Sequence, residues 1–297
     1  MAKRRSNVRN RMELAAVRLL LAVARSGSPE SAEAVGRRLG RLYRTLDRRR
    51  RELAEQNLVR AFPGKRPDEI EALSIAVFEH FGGVAADLLQ SFGDSQEALD
   101  ARIQVLGGET VRSALAAGRG LFLLTAHFGN WEYSALATAA IGVPVAVIAR
   151  PMDNPLLETF LRRFRERNGN TVVYKTEAAR EMLRILKHGG TIGILADQHA
   201  MTADAVVVPF FGRPASTTSI VARLADRTEA PIIPSFCVRT GPARYRMEYG
   251  PVIDVRTLSP EERRPAPLTA RLNLEVENVV RRDPEQWLWL HNRWRLD

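Results

Sequence analysis

The chain has 297 residues, 45% of them apolar and 26% charged, with a formal net charge of +10. These values exclude a mostly disordered polymer and leave room for one large α/β domain or two small ones. The single cysteine, Cys237, excludes an intramolecular disulfide. No Cys/His cluster suggests a metal site, so a reducing interior compartment is expected.

The excess charge lies at the N-terminus. Residues 1–60 hold 16 Lys and Arg against 6 Asp and Glu, and the remaining residues balance. That asymmetry points to an anionic partner. The apolar run MELAAVRLLLAVA (12–24) is broken by Arg18 and is too short for a membrane span of about 20 residues. Its positive flank raises a signal peptide, yet no small-residue cleavage site follows. Arg11, Arg18 and Arg25 recur every seven residues, while Met12, Leu14, Val17, Leu19, Leu20, Leu21 and Val23 fill a broad apolar face. Such a helix suits an anionic membrane surface, and packing on its own domain explains the pattern equally. The arginines at 48–51 have no aromatic interleaving and belong to no nucleic-acid module, so no nucleic-acid partner is expected.

Residues 30–60 read as helix, 62–69 as a turn, and 67 to about 91 as a second helix opened by Pro67. From residue 120 the pattern becomes strand–helix–strand. Short β-rich runs at 121–126, 143–149, 170–175, 191–196 and 230–238 alternate with helical patterns at 155–168, 177–188 and 215–228. An antiparallel strand is expected over 244–252 and a last helix over 267–282. The expected class is α/β, a mostly parallel central sheet flanked by helices, with a helical basic N-terminal region. Ligands of such sheets sit at the carboxyl ends of the strands, where His127 and Asp197 both fall.

In TAHFGNWEYSA (125–135) a histidine ends an apolar run and a glutamate follows five residues later. On one helix the two would lie on different faces. If His127 ends a strand and Glu132 opens the next helix, with Asn130 as its N-cap, Glu132 can turn back toward the imidazole. A carboxylate on one ring nitrogen fixes the tautomer and makes the other a base, able to take a proton from a hydroxyl attacking a carbonyl. An ordinary strand-end histidine is the bland alternative. No GxSxG elbow is present and Cys237 lies outside the histidine motif, so direct attack by an acceptor hydroxyl is the simpler mechanism. Trp287, Trp289 and Trp294 suit either a bilayer interface or buried packing. Thr217 and Thr218 read as a helix start, capped by Ser216 or Thr217.

Further motifs follow in order: QNLVRAFPGKRPDEIEAL (56–73), ARPMDNPLLETFLRRFRERNGN (149–170), ILADQHA (194–200), VPFFGRPASTTSIVARLADRTEAPIIP (208–234) and PEQWLWLHNRWR (284–295). With the histidine motif, they resemble the bacterial lipid A biosynthesis acyltransferase family, which includes late lauroyl and myristoyl acyltransferases and phosphatidylinositol mannoside acyltransferases. The resemblance covers about 55–295 and implies a glycerolipid acyltransferase-like fold, with a basic segment over 1–60 and a catalytic domain over 61–297. It casts His127 as general base and Glu132 as the carboxylate of the Hxxxx(D/E) motif. It also places Arg165 and Asp197 at the active site. Substrate-binding roles are expected for Arg150, Asn130, Phe210, Phe211 and Gly212; an anion-binding or a structural role fits Arg150 equally, and the last three either shape an acyl channel or form an aromatic turn packed on the core. The implied partners are acyl carrier protein or acyl-CoA as donor and a glycolipid acceptor, a lipid A precursor or a phosphatidylinositol mannoside. No metal or cofactor is implied. Many members carry a clear membrane-spanning N-terminal helix. The Arg-interrupted run here suggests peripheral attachment at the cytoplasmic face of the inner membrane. A noncatalytic anionic-lipid-binding protein is the contrasting class, and it leaves the histidine motif unexplained.

Overall fold

Serine, aspartate and proline punctuate the helical N-terminal third. The Ser6 hydroxyl caps α1 (Asn7–Arg25), accepting from the Arg9 N–H at 3.2 Å. Ser28 caps α2 (Pro29–Leu46), which opens on proline. Asp47 ends α2 and caps α3 (Arg48–Ala61), accepting from the Arg50 N–H at 3.0 Å. The helix expected over 30–60 is therefore two helices, because the Asp47 side chain competes for backbone donors. The computed structural model describes residues 6–174 and 178–295. Positions 175 and 177, at the edges of an expected strand and helix, lie outside them.

The long helix α4 (Pro67–Ser91) is apolar enough to cross a membrane by length and composition. Its Val77, Phe78 and Val84 are buried, and α1, α2 and α3 all pack against it. It serves as a core helix. The α2–α4 crossing is close: a Cβ on Gly36 would lie 2.4 Å from the Gly82 carbonyl oxygen. A short helix α5 (Gln96–Asp100) leads into the sheet.

The sheet has seven strands: β1 (Ile103–Leu106), β2 (Leu121–Thr125), β3 (Val145–Ala149), β4 (Thr171–Tyr174), β5 (Thr191–Leu195), β8 (Ile232–Gly241) and β9 (Arg244–Tyr249). A separate hairpin pairs β6 (Ala205–Phe210) with β7 (Arg213–Thr218). Strand order is β1-β9-β8-β2-β5-β3-β4, and every pairing is parallel except β8 with β9. The five residues of β2 are all buried, as expected for a strand covered on both faces. Helices α6 (Gly108–Ala116) and α7 (Trp131–Ala140) cover one face with Val111, Leu121, Leu123, Val145 and Ile233. On the other face α9 (Ala178–Lys187), α10 (Ile220–Thr228) and α11 (Pro265–Arg282) enclose Phe122, Leu124, Met182, Ile192, Ile194 and Leu272. Helix α8 (Pro155–Arg165) follows β3.

The helix expected from 215 instead starts at Ile220, with Ser219 at its N-cap position, and residues 213–218 form β7. The two-residue turn Phe211-Gly212 has φ of 52° and 69°, the geometry that closes a tight hairpin. Phe211 is held there by its N–H to Glu277 Oε1 at 2.7 Å and by the Arg281 guanidinium 4.4 Å from its ring. Phe210 and Phe211 pack with Trp287 and Trp289 in the core.

The N-terminal helices are bound into the fold. Asn57 Nδ2 donates to the Trp289 and His291 carbonyls at 2.7 and 2.8 Å. Buried Arg239, on β8, reaches Asp87 at 2.8 Å and Glu33 at 2.9 Å.

Candidate active site

Strands β2 and β5 are neighbours, with Thr125 paired to Leu195. Two residues beyond each, His127 and Asp197 meet. Asp197 Oδ1 accepts from His127 Nδ1 at 2.9 Å, and Oδ2 accepts from the His127 backbone N–H at 3.0 Å. A third donor, the Trp287 indole N–H, reaches Oδ2 at 2.8 Å. Asp197 is 1% exposed. Burial alone would raise its pKa. The His127 charge and the His127 and Trp287 hydrogen bonds outweigh that, so the carboxyl lies below the usual carboxylate value. With Nδ1–H committed to Asp197, the His127 Nε2 lone pair faces the Gln198 amide nitrogen at 3.3 Å.

The segment after α11 splints this turn. Leu288 N–H donates to the His127 carbonyl at 2.9 Å, and Gly129 N–H donates to the Gln286 carbonyl at 2.9 Å. Gly129 has φ of 56°, and a Cβ there would sit 2.0 Å from the Cys237 carbonyl oxygen. Only glycine lets the turn pass so close to β8. Beneath it His80 is buried, bonded to the Gly129 backbone, its pKa pushed down to about 3 chiefly by burial.

Glu132 has another partner. It opens α7 as expected, but its carboxylate forms a two-point pair with Arg165 on α8, with Nε–Oε2 2.8 Å and Nη2–Oε1 2.6 Å. The carboxylate expected to steer the imidazole from position 132 is supplied instead by Asp197. The reason is register: the β2–β5 pairing delivers Asp197 to the ring, while the first turn of α7 carries Glu132 toward α8. Burial opposes the Arg165 charge, yet Glu132 overcomes it and holds the guanidinium pKa above its ordinary value. Both side chains are largely buried, 15% and 11% exposed. Glu132→Gln is therefore expected to destabilise the fold by about 3 kcal/mol, leaving a buried cation with a neutral partner. Chemical denaturation measures this, and an unchanged midpoint would remove the pair's structural role.

A cavity of about 640 Å³ opens at the carboxyl ends of β2, β3 and β5, lined by His127, Glu132, Arg165, Gln198 and Arg150 among others. This is the site expected for such a sheet. Arg150 is mostly exposed at its rim, 4.0 Å from Asp153. Asn130 holds the N-cap position of α7 without a side-chain cap bond. It is buried, and its N–H donates to the Cys237 carbonyl at 3.0 Å. Asn130, Phe210, Phe211 and Gly212 are not among the cavity-lining residues. The two phenylalanines are tied up in core packing, and Gly212 completes the hairpin turn. Trp287 and Trp289 are buried, away from any bilayer. Burial pushes the Cys237 thiol up. Among the described residues no group of three His, Cys, Asp or Glu side chains is placed to hold a metal ion.

Sequence reading gave Trp287 a place at a bilayer interface or in buried packing and missed its bond to Asp197. Its only signal is a tryptophan two residues before another in a C-terminal motif, 90 positions from the aspartate it serves.

The arrangement sets an imidazole, held by a buried carboxylate, at a large, partly apolar cavity. Residues 3–296 match the family described as bacterial lipid A biosynthesis acyltransferase. The chain is 27% identical over 262 residues to the lipid A biosynthesis lauroyltransferase of Escherichia coli, covering 86% of this chain and 83% of that protein. It is 26% identical over 269 residues to the palmitoleoyltransferase of the same organism, covering 88% and 84%. A lipid A biosynthesis acyltransferase of Haemophilus influenzae is 25% identical over 250 residues, covering 82% and 75%. The chain thus belongs to the bacterial lipid A biosynthesis acyltransferase family, and it is an acyltransferase.

Proposed function

We propose that this acyltransferase moves a fatty acyl chain from acyl carrier protein to a hydroxyl of a lipid A precursor, with His127 as general base. The observation that carries the reading is the His127–Asp197 pair at a partly apolar cavity that opens at the carboxyl ends of the strands. The acceptor hydroxyl gives its proton to His127 Nε2 as its oxygen attacks the thioester carbonyl. Asp197 stabilises the resulting imidazolium. When the tetrahedral intermediate collapses, the carbon–sulfur bond breaks and the imidazolium returns the proton to the leaving thiolate. Arg165, fixed by Glu132, supplies positive charge at the cavity for the developing oxyanion, and Arg150 at the rim suits a phosphate of donor or acceptor.

Membrane attachment belongs to the same proposal, peripherally at the cytoplasmic face of the inner membrane. Val8, Met12, Leu19 and Val23 on α1, and Val35, Leu39, Leu42 and Leu46 on α2, are each more than half exposed. Their spacing makes an outward apolar stripe on each helix, and Arg11, Arg18 and Arg25 are also exposed on α1. Apolar stripes among arginines suit an anionic lipid surface. A Leu19→Glu, Leu39→Glu double variant is expected to weaken flotation with anionic vesicles at least about tenfold. Equal flotation of variant and parent would remove these helices from the interface.

The test of the function is direct. Purified protein is offered acyl carrier protein or coenzyme A thioesters with a lipid A precursor or a phosphatidylinositol mannoside, and products are identified by mass. Acylated lipid A precursor from the carrier-protein donor is expected. Product only from coenzyme A or only on the mannoside would replace the donor or acceptor, and no product with any pair would favour a noncatalytic lipid-binding role.

A further inference from the structure

Helix α1 packs against α4 and α8, yet most of it lies outside the core. Of its described residues Asn10 alone is buried, and the Asn10 Oδ1 atom has no hydrogen-bond partner. Apolar packing therefore does little to hold this helix on the domain. Two side chains of the domain fasten it. Near its C-terminus, Gln90 on α4 donates to the Ala24 carbonyl at 2.9 Å. In its first half, Asn154 Nδ2 donates to the Asn10 carbonyl at 3.1 Å and to Glu13 Oε2 at 2.9 Å.

Asn154 is itself buried and works in two directions. Its Oδ1 accepts from the Leu156 N–H at 3.0 Å and so caps α8. Its Nδ2 reaches back to a residue 141 positions earlier. The segment 150–154 joins β3 to α8, and Ala149 and Arg150 at its start line the cavity. Glu158 braces the same segment from within α8. Its Oε2 accepts from the Met152 N–H at 2.6 Å, and its Oε1 accepts from the Tyr174 hydroxyl at 2.8 Å. The far end of α8 carries Arg165, the guanidinium paired with Glu132 in the cavity. One joint is therefore shared by α1, the cavity rim and the helix that presents Arg165.

We infer that Asn154 is a positioning residue for acyl transfer, fastening α1 to the start of α8 and thereby fixing the cavity rim at Arg150. The inference rests on the acyl-transfer reading above. It adds a task for the basic N-terminal segment that needs no membrane. The Arg150 side chain is 81% exposed and lies 4.0 Å from Asp153, so the course of its backbone largely decides where its charge sits. Misplacing a substrate-positioning group by about 1 Å can cost about 10²-fold in rate.

Asn154→Asp in the full chain separates the two tasks of this side chain. A carboxylate keeps the cap on α8, and it sets a negative charge against the Asn10 carbonyl and the Glu13 carboxylate where a donor stood. The variant is expected to fold and to raise hydrogen exchange at least about tenfold in the amides of α1 and of residues 150–153. With substrates in detergent micelles, where no bilayer is present, kcat/KM is expected to fall at least about tenfold. Adding Glu13→Gln returns a donor to the joint and is expected to repair most of both changes, while Glu13→Gln alone should resemble the parent. Parent-like exchange and transfer in folded Asn154→Asp would overturn the inference. So would raised exchange in α1 with parent-like transfer, the result for a helix that serves lipid attachment alone. A transfer loss that Glu13→Gln does not repair would place the damage in α8 and overturn it as well. If the parent transfers no acyl group, yet the exchange pattern and its repair appear, the joint stands and the acyl-transfer reading falls. Should Asn154→Asp fail to fold, Glu13→Lys opposes the Asn154 donor from a partly exposed position and is read by the same two assays.

Discussion

Asp197→Asn is expected to lower kcat about 10³- to 10⁴-fold while the protein still folds. The change is nearly isosteric, so its effect comes from which atom donates. Oδ2 of Asp197 accepts from two N–H groups, the His127 backbone and the Trp287 indole. An asparagine would keep its oxygen there, because turning the amide around would set its NH₂ against both donors. Its NH₂ then faces His127 Nδ1, which must accept rather than donate. The imidazole proton moves to Nε2, and the nitrogen facing the cavity loses the lone pair that takes the acceptor's proton. Steady-state transfer rates beside thermal unfolding check this. A folded variant within about threefold of the parent rate would show that Asp197 does not set the tautomer.

That result also separates the two carboxylates near the base. Glu132 occupies the motif position, yet its two oxygens are both engaged by Arg165. Its substitution disturbs a buried ion pair and the placement of a guanidinium, and it leaves the Nδ1–H to Asp197 contact in place.

How much of this was legible in the sequence depends on range. Runs such as LFLLT and TIGIL declare themselves, because apolar residues covered on both faces form uninterrupted stretches. The antiparallel partner at β9 was legible from alternation. Strand β1, four residues with one buried end, carries too little pattern to stand out. The β7 strand was hidden by residues equally suited to capping a helix: Ser216, Thr217 and Thr218 are β-branched or hydroxylated, and pairing with β6 decided their state. The position of His127 at a strand end followed from local order. Its partner did not, since that depends on β2 lying beside β5, a pairing 70 residues apart in the chain. Trp287 was harder still, arriving from beyond α11. Phe210 and Phe211, expected around an acyl channel, pack in the core instead because the hairpin folds back onto α11.

The most direct measurement compares the parent with His127→Ala in the donor–acceptor assay, by mass of the acylated product. Taking away the imidazole removes both the proton acceptor and the group that protonates the leaving thiolate, so the rate is expected to fall at least about 10³-fold. The donor KM should change little, because tail contacts elsewhere in the cavity remain. A folded alanine variant that forms product at near-parent rate would contradict a base at residue 127.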